Sequence, residues 1–76
     1  MSDFPAISGL EMVKALQRGG FFVVRQRGSH VRMASTIDAS RRVTVPVHAG
    51  RILKRGVVIS ILDQAHWTLD DLKRHL

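Results

Sequence analysis

His30 stands in the run Val24-Arg25-Gln26-Arg27-Gly28-Ser29-His30-Val31-Arg32, where an imidazole meets three guanidinium groups within eight residues. An imidazole, with an ordinary pKa of about 6.5, can take or give a proton at neutral pH. A guanidinium offers a planar fork of donors that fits phosphate oxygens. Together they could hold a phosphate ester and move a proton beside it. A lone histidine in a strand is more often a surface or packed residue, so residue types alone do not make it catalytic. The other candidates say less. His48 could carry a second proton or contact a phosphate, or simply end a strand on the surface. Ser29 could donate to a phosphate, but a turn residue needs no such role. Asp63 and His66, three apart on a helix, could suggest a metal-ligand pair, but a pair alone does not make a site. Trp67 could stack a base or cover the core.

The chain that carries these residues is short. Its 76 residues are 45% hydrophobic and 24% charged, an ordinary globular mix that fits one small domain, residues 1–76, with no room for a second core. A large multi-step enzyme is excluded; a small binder or an economical catalyst is not. No apolar run approaches the roughly 20 residues of a membrane span, and no signal-peptide pattern opens the chain. With no cysteine there are no disulfides, thiolate metal sites or cysteine nucleophiles, and a reducing cytoplasm is the expected location.

Charge is where the sequence speaks most clearly. Twelve Lys and Arg against six Asp and Glu give a net charge of +6. Between Met12 and Leu62 lie ten cations and one carboxylate, Asp38, a local net of ten minus one, or +9. Eight of those ten are arginines. So one-sided a distribution exceeds what solubility requires and points to a polyanion, a nucleic acid above all.

Local signals along the chain divide it into helices and strands. Ser8-Gly9-Leu10-Glu11 is a capping box, with Ile7 and Met12 at the staple positions. A helix is expected from Gly9 to Arg18, its apolar face built from Leu10, Met12, Val13 and Leu16 and its end marked by Gly19-Gly20. Phe21–Arg27 and His30–Ala34 read as strands joined by a two-residue Gly28-Ser29 turn of type II′. After a polar loop over Ser35–Ser40, Arg41–Val47 reads as a third strand, and Pro46 assigns it to a sheet edge. A connection leads to the basic Lys54-Arg55-Gly56 segment. Val57–Ala65 has β-branched residues at helical spacing, and its length favours a helix. Thr68 caps a short last helix.

The turn fixes the hairpin register, pairing Arg27 with His30 and Arg25 with Arg32 on one sheet face. Thr44, Pro46 and His48 of the third strand should share that face. Uniform alternation places Phe22, Val24, Val31 and Met33 on the core side, and leaves Phe21 and Val23 exposed among the cations. Such apolar residues beside a basic patch suggest either a covering partner or packing by other parts of the chain.

Three blocks in this order are also familiar. Val24 to His30, Arg42-Val43-Thr44-Val45-Pro46-Val47-His48, and Leu53-Lys54-Arg55-Gly56 leading to Ile61-Leu62-Asp63-Gln64-Ala65 resemble the HicA family of toxin–antitoxin pairs, over about Ser8 to Leu72. The resemblance implies an α+β fold of α-β-β-β-α order, similar to the double-stranded-RNA-binding domain: a three-stranded antiparallel sheet, helices on one face, and a short extra C-terminal helix. It implies ribonuclease activity on mRNA, no cofactor, and a HicB-type antitoxin that neutralises the toxin by direct binding. The family's catalytic histidine falls on His30 through Gly28-Ser29-His30. Arg25, Arg27, Gly28, Ser29, Arg32, His48, Lys54 and Arg55 are then the expected RNA-binding residues, and neither a metal nor a membrane is called for. His66-Trp67 departs from the family pattern, which often has Gly and a small apolar residue there. Two other functions compete: a non-catalytic double-stranded-RNA-binding module, which has no need of a histidine at position 30, and a small DNA-binding regulator reading through Lys54-Arg55.

Overall fold

A computed structural model of the chain describes residues 4–76; Met1, Ser2 and Asp3 lie outside the described residues. The element order is α1 (Gly9–Arg18), β1 (Phe21–Arg27), β2 (His30–Ser35), β3 (Arg42–Pro46), α2 (Arg55–Ala65) and α3 (Leu69–Arg74). The strands form one antiparallel sheet in the order β1-β2-β3, with helices packed on it, the α+β arrangement of a double-stranded-RNA-binding domain.

Both ends of the helical layer are set by local chemistry. The Ser8 N–H donates to Glu11 Oε1 at 2.9 Å, and the Glu11 N–H donates back to Ser8 Oγ at 3.1 Å. Thr68 and Asp71 repeat the device at α3, at 2.7 and 3.1 Å. The Ser8 N–H, and then its hydroxyl, hold the Glu11 carboxyl below its usual pKa; Thr68 does the same for Asp71, in the same order, with help from Arg74. A carboxyl whose pKa is lowered by folding stabilises the fold above the ordinary carboxylate range and loses that contribution as pH falls through the lowered value. Thermal melting should therefore hold steady near neutrality and drop on the acid side. Glu11→Gln and Asp71→Asn should flatten that acid limb, as melting curves across pH would show.

The core lies between the sheet and α1, α2 and α3. Met12, Leu16, Met33, Val43, Val45, Val58, Ile61 and Leu72 are its largest fully buried side chains, each worth roughly 1.5–3 kcal/mol of apolar burial. Leu10, expected on the inner face of α1, is instead 53% exposed. At 100° per residue the buried arc runs through Gly9, Met12, Val13 and Leu16, and Leu10 falls outside it. The apolar periodicity of residues 57–65 resolves as α2, with Val58, Ile61, Leu62 and Ala65 inward.

The hairpin carries the chief correction. Gly28 has φ +58° and Ser29 does not share the left-handed region, the pattern expected of a type II′ turn. Arg27↔His30 and Arg25↔Arg32 pair as expected, but the register then slips by one residue between Val23 and Arg25. Val24 is the extra residue of a β-bulge, which inverts the side-chain alternation beyond it. Phe21, paired with Ser35, turns into the core and is 5% exposed; Phe22, paired with Ala34, turns out to the cationic face and is 47% exposed. Val23 pairs with buried Met33 and stands at the sheet edge, not among the cations. The exposed apolar residues of the basic face are thus Phe22 and Val24, not Phe21 and Val23.

Pro46 lies on an edge strand, as its missing N–H requires. On that edge the Thr44 N–H is satisfied from α2: it donates to Gln64 Oε1 at 2.9 Å, while Gln64 Nε2 donates to Ser60 Oγ at 3.0 Å. At the end of α2, His66 takes φ +57° and ψ 38°, the left-handed cap that glycine adopts without cost, and this is where the chain departs from the family pattern. Trp67 then packs edge-on to Phe21 (5.8 Å), stacks on His75 (4.9 Å) and presses on Gly19, where a Cβ would lie 2.1 Å from its ring. It is a core-covering residue. Arg18 Nη1 donates to the His75 carbonyl at 2.8 Å, tying the chain's end to α1.

Candidate functional site

The face of the sheet turned away from the helices is ordered by register into three rows across the strands. Nearest the turn lie Arg27, His30 and Pro46; next come Val24 and Arg25, Arg32 and Thr44; last come Phe22, Ala34 and Arg42. Rows on one face repeat every second residue, about 6–7 Å apart. The bulge sets both Val24 and Arg25 opposite Arg32, so it adds an apolar group to the middle row without displacing its cation.

Arg25, Arg27, His30, Arg32 and Thr44 line a shallow cleft of about 280 Å³. Like charges directly opposite each other destabilise an antiparallel pair by a few tenths of a kcal/mol up to ~1 kcal/mol, and here Arg25 faces Arg32. No carboxylate offsets them: among the described residues the one ion pair joins Arg74 to Asp71, in α3. Asp38, the one acid in the basic stretch, is held by the Ser40 hydroxyl and N–H at 2.6 and 3.1 Å, which lower its pKa. The His30 side chain is exposed and makes no hydrogen bond to any described residue. The cleft is therefore a set of unpaired donors around one free imidazole, an arrangement that an anion completes.

Of the residues singled out in the sequence, the structure gathers Arg25, Arg27, His30 and Arg32 in this cleft. Gly28 and Ser29 form the turn at its end, where the Ser29 carbonyl accepts the Val47 N–H at 2.6 Å and so fixes the turn against the end of β3. His48 and Lys54 lie in a separate recess of about 270 Å³ with Pro46, Arg51, Ile52, Leu53 and Val57. Arg55 lies over the Phe4 ring, 4.8 Å from its centroid. Thr44 is the cleft residue that sequence reasoning placed on the right face but did not count in the site. Asp63 and His66 gain no third partner: among the described residues no three His, Asp or Glu side chains cluster as metal ligands.

The family model described as the HicA toxin of bacterial toxin–antitoxin systems matches residues 9–67, from the first residue of α1 to Trp67. The chain belongs to the HicA toxin family. The HicA match takes in the whole sheet, the His30 cleft, the second recess and α2, and leaves α3 outside. No match was found among curated proteins. Membership of the HicA toxins gives the chain a toxin role and implies an antitoxin as its partner. No helix among the described residues is long and apolar enough to cross a membrane.

Proposed function

We propose that this toxin is an endoribonuclease that cleaves mRNA at the His30 cleft and is neutralised by a HicB-type antitoxin that covers the cationic sheet face. The observation that carries the reading is the placement of one free imidazole among three unpaired arginines and a threonine in a single cleft. RNA supplies its own nucleophile. Attack of a 2′-oxygen on the adjacent phosphorus forms the O2′–P bond, and the P–O5′ bond breaks. A proton leaves the 2′-hydroxyl and another joins the departing 5′-oxygen. His30, the one imidazole in the cleft, carries one of these transfers, and water in the open cleft carries the other. Arg25, Arg27 and Arg32 hold the phosphate and stabilise the charge that grows on its oxygens. Every charge and proton that moves is accounted for without a metal, and the mechanism is proposed as metal-independent.

Purified toxin incubated with labelled single-stranded RNA should cleave it equally with and without chelator. Binding without cleavage would leave the competing reading, a non-catalytic double-stranded-RNA-binding module. Affinity should be electrostatic in either case: for three to five phosphate contacts, log affinity should fall against log salt with a slope of roughly −2 to −3.5 for a single strand. Arg25→Ala and Arg32→Ala should each weaken binding and make that slope shallower. A flat salt dependence would refute the assignment of the basic face.

A further inference from the structure

The geometry points to a base-stacking subsite on the far row of the cationic face, formed by Phe22 with Val24 and flanked by Arg42. This inference rests on the reading of the cleft as an RNA site and extends it from the cleaved phosphate to a neighbouring nucleotide. Phe22 is 47% exposed, an aromatic ring turned to solvent on the face that carries Arg25, Arg32 and Arg42. Across the row its strand partner is only an alanine, Ala34, and beyond that stands Arg42. Val24, the bulge residue, is also 47% exposed and lies between Phe22 and the cleft.

A third recess, of about 210 Å³, is lined in part by Val24, Arg25, Arg32, Arg42 and Thr44, and shares Arg25, Arg32 and Thr44 with the His30 cleft. The two recesses are thus continuous along the strands. An extended RNA strand that leaves its scissile phosphate at His30 meets Arg25 and Arg32 next, and Phe22 one row further, at a spacing on the scale of successive nucleotides. An exposed ring between cations is the arrangement that takes a base on its face and the adjoining phosphate on the guanidinium groups. The surrounding charge favours a nucleotide over an uncharged apolar side chain as the occupant. The bulge at Val24 is what makes this possible, because without it Phe22 would face the core.

The test uses 2′-O-methyl RNA, which has no free 2′-hydroxyl and stays intact on the wild-type toxin. Phe22→Ser should lower affinity by about 5- to 150-fold, the range for loss of one stacked base, with the salt slope unchanged because no charge is altered. Ile59→Ser, on the equally exposed outer surface of α2, is the matched control and should bind as wild type. Phe22→Leu keeps the apolar bulk but not the aromatic face, and should lose affinity as Phe22→Ser does; Phe22→Trp should retain it. An abasic residue scanned along the RNA should reproduce the loss at one position on wild type and cost nothing further there on Phe22→Ser. Wild-type affinity in both Phe22→Ser and Phe22→Leu would overturn the inference. So would a loss confined to antitoxin binding, which would make the patch a protein contact. Neither result touches the role of His30, which is read from cleavage.

Discussion

Replacing His30 with Ala is expected to lower RNA cleavage by about 10²–10⁴-fold, the usual contribution of a positioned general acid or base. The expectation follows from what His30 does not do. It is exposed, makes no hydrogen bond to a described residue and has no place in the core, so its loss should alter stability by no more than about 0.5 kcal/mol. RNA binding should persist, because Arg25, Arg27 and Arg32 remain to hold phosphate. Antitoxin binding should persist too. The variant should then be expressible without its partner, and at equal soluble expression wild type should kill cells where the variant does not. Comparison of melting curves, RNA affinity and cleavage rate separates a catalytic loss from a folding one. Wild-type cleavage by the variant would move the site elsewhere, first to His48 in its own recess.

The second large effect concerns the joint between α1 and the edge strand. Gly9 begins α1 directly against β3: a Cβ there would lie 2.2 Å from the Pro46 carbonyl oxygen and 2.9 Å from Val47 Cα. Both obstacles are backbone, so no side chain can swing away to relieve the contact. Gly9→Ala should destabilise the protein by about 1–3 kcal/mol as helix and strand are forced apart, a fall of roughly 5–20 °C in Tm for a domain of this size. Helix propensity runs the other way, since Ala is favoured over Gly by up to ~1 kcal/mol in a helix interior. Gly56 provides the contrast. It sits in the first turn of α2 with nothing within 4 Å of its would-be Cβ and no positive φ. Gly56→Ala should be neutral or slightly stabilising, and thermal melts of the two variants should diverge in sign.

What the sequence made legible follows from which interactions are local. The Ser8–Glu11 box, the Gly28-Ser29 turn and the Thr68 cap are each written within four residues, and the structure places them as read. Once the turn is fixed, pairing of Arg25 with Arg32 and Arg27 with His30 follows from counting, and so the cationic face was visible in advance. The bulge was not. Nothing in Phe21-Phe22-Val23-Val24 marks Val24 as the extra residue; the slip reconciles a buried Phe21 with outward arginines four and six residues later, which uniform alternation would put on the same face, a condition set by α1, Trp67 and β2 together. Leu10 lies outside for a related reason: the inner arc is centred on Gly9, Met12, Val13 and Leu16, because Gly9 is pressed against the Pro46 and Val47 backbone, and no local signal in the sequence shows that contact. His48 continues the alternation of β3 in sequence, but the strand ends at Pro46 and the chain turns into the loop, which carries His48 to the second recess.

In the proposed reaction His30 moves a proton for a 2′-hydroxyl nucleophile on a basic sheet face, and the chemistry of the cut ends reports whether it does. RNA cleaved by the wild-type toxin should end in a 2′,3′-cyclic phosphate on one fragment and a 5′-hydroxyl on the other, with and without chelator. A single 2′-deoxy substitution at the scissile nucleotide should abolish that cut while leaving binding in place. A 5′-phosphate with a free 3′-hydroxyl, or undiminished cutting at the 2′-deoxy position, would rule out attack by the 2′-oxygen.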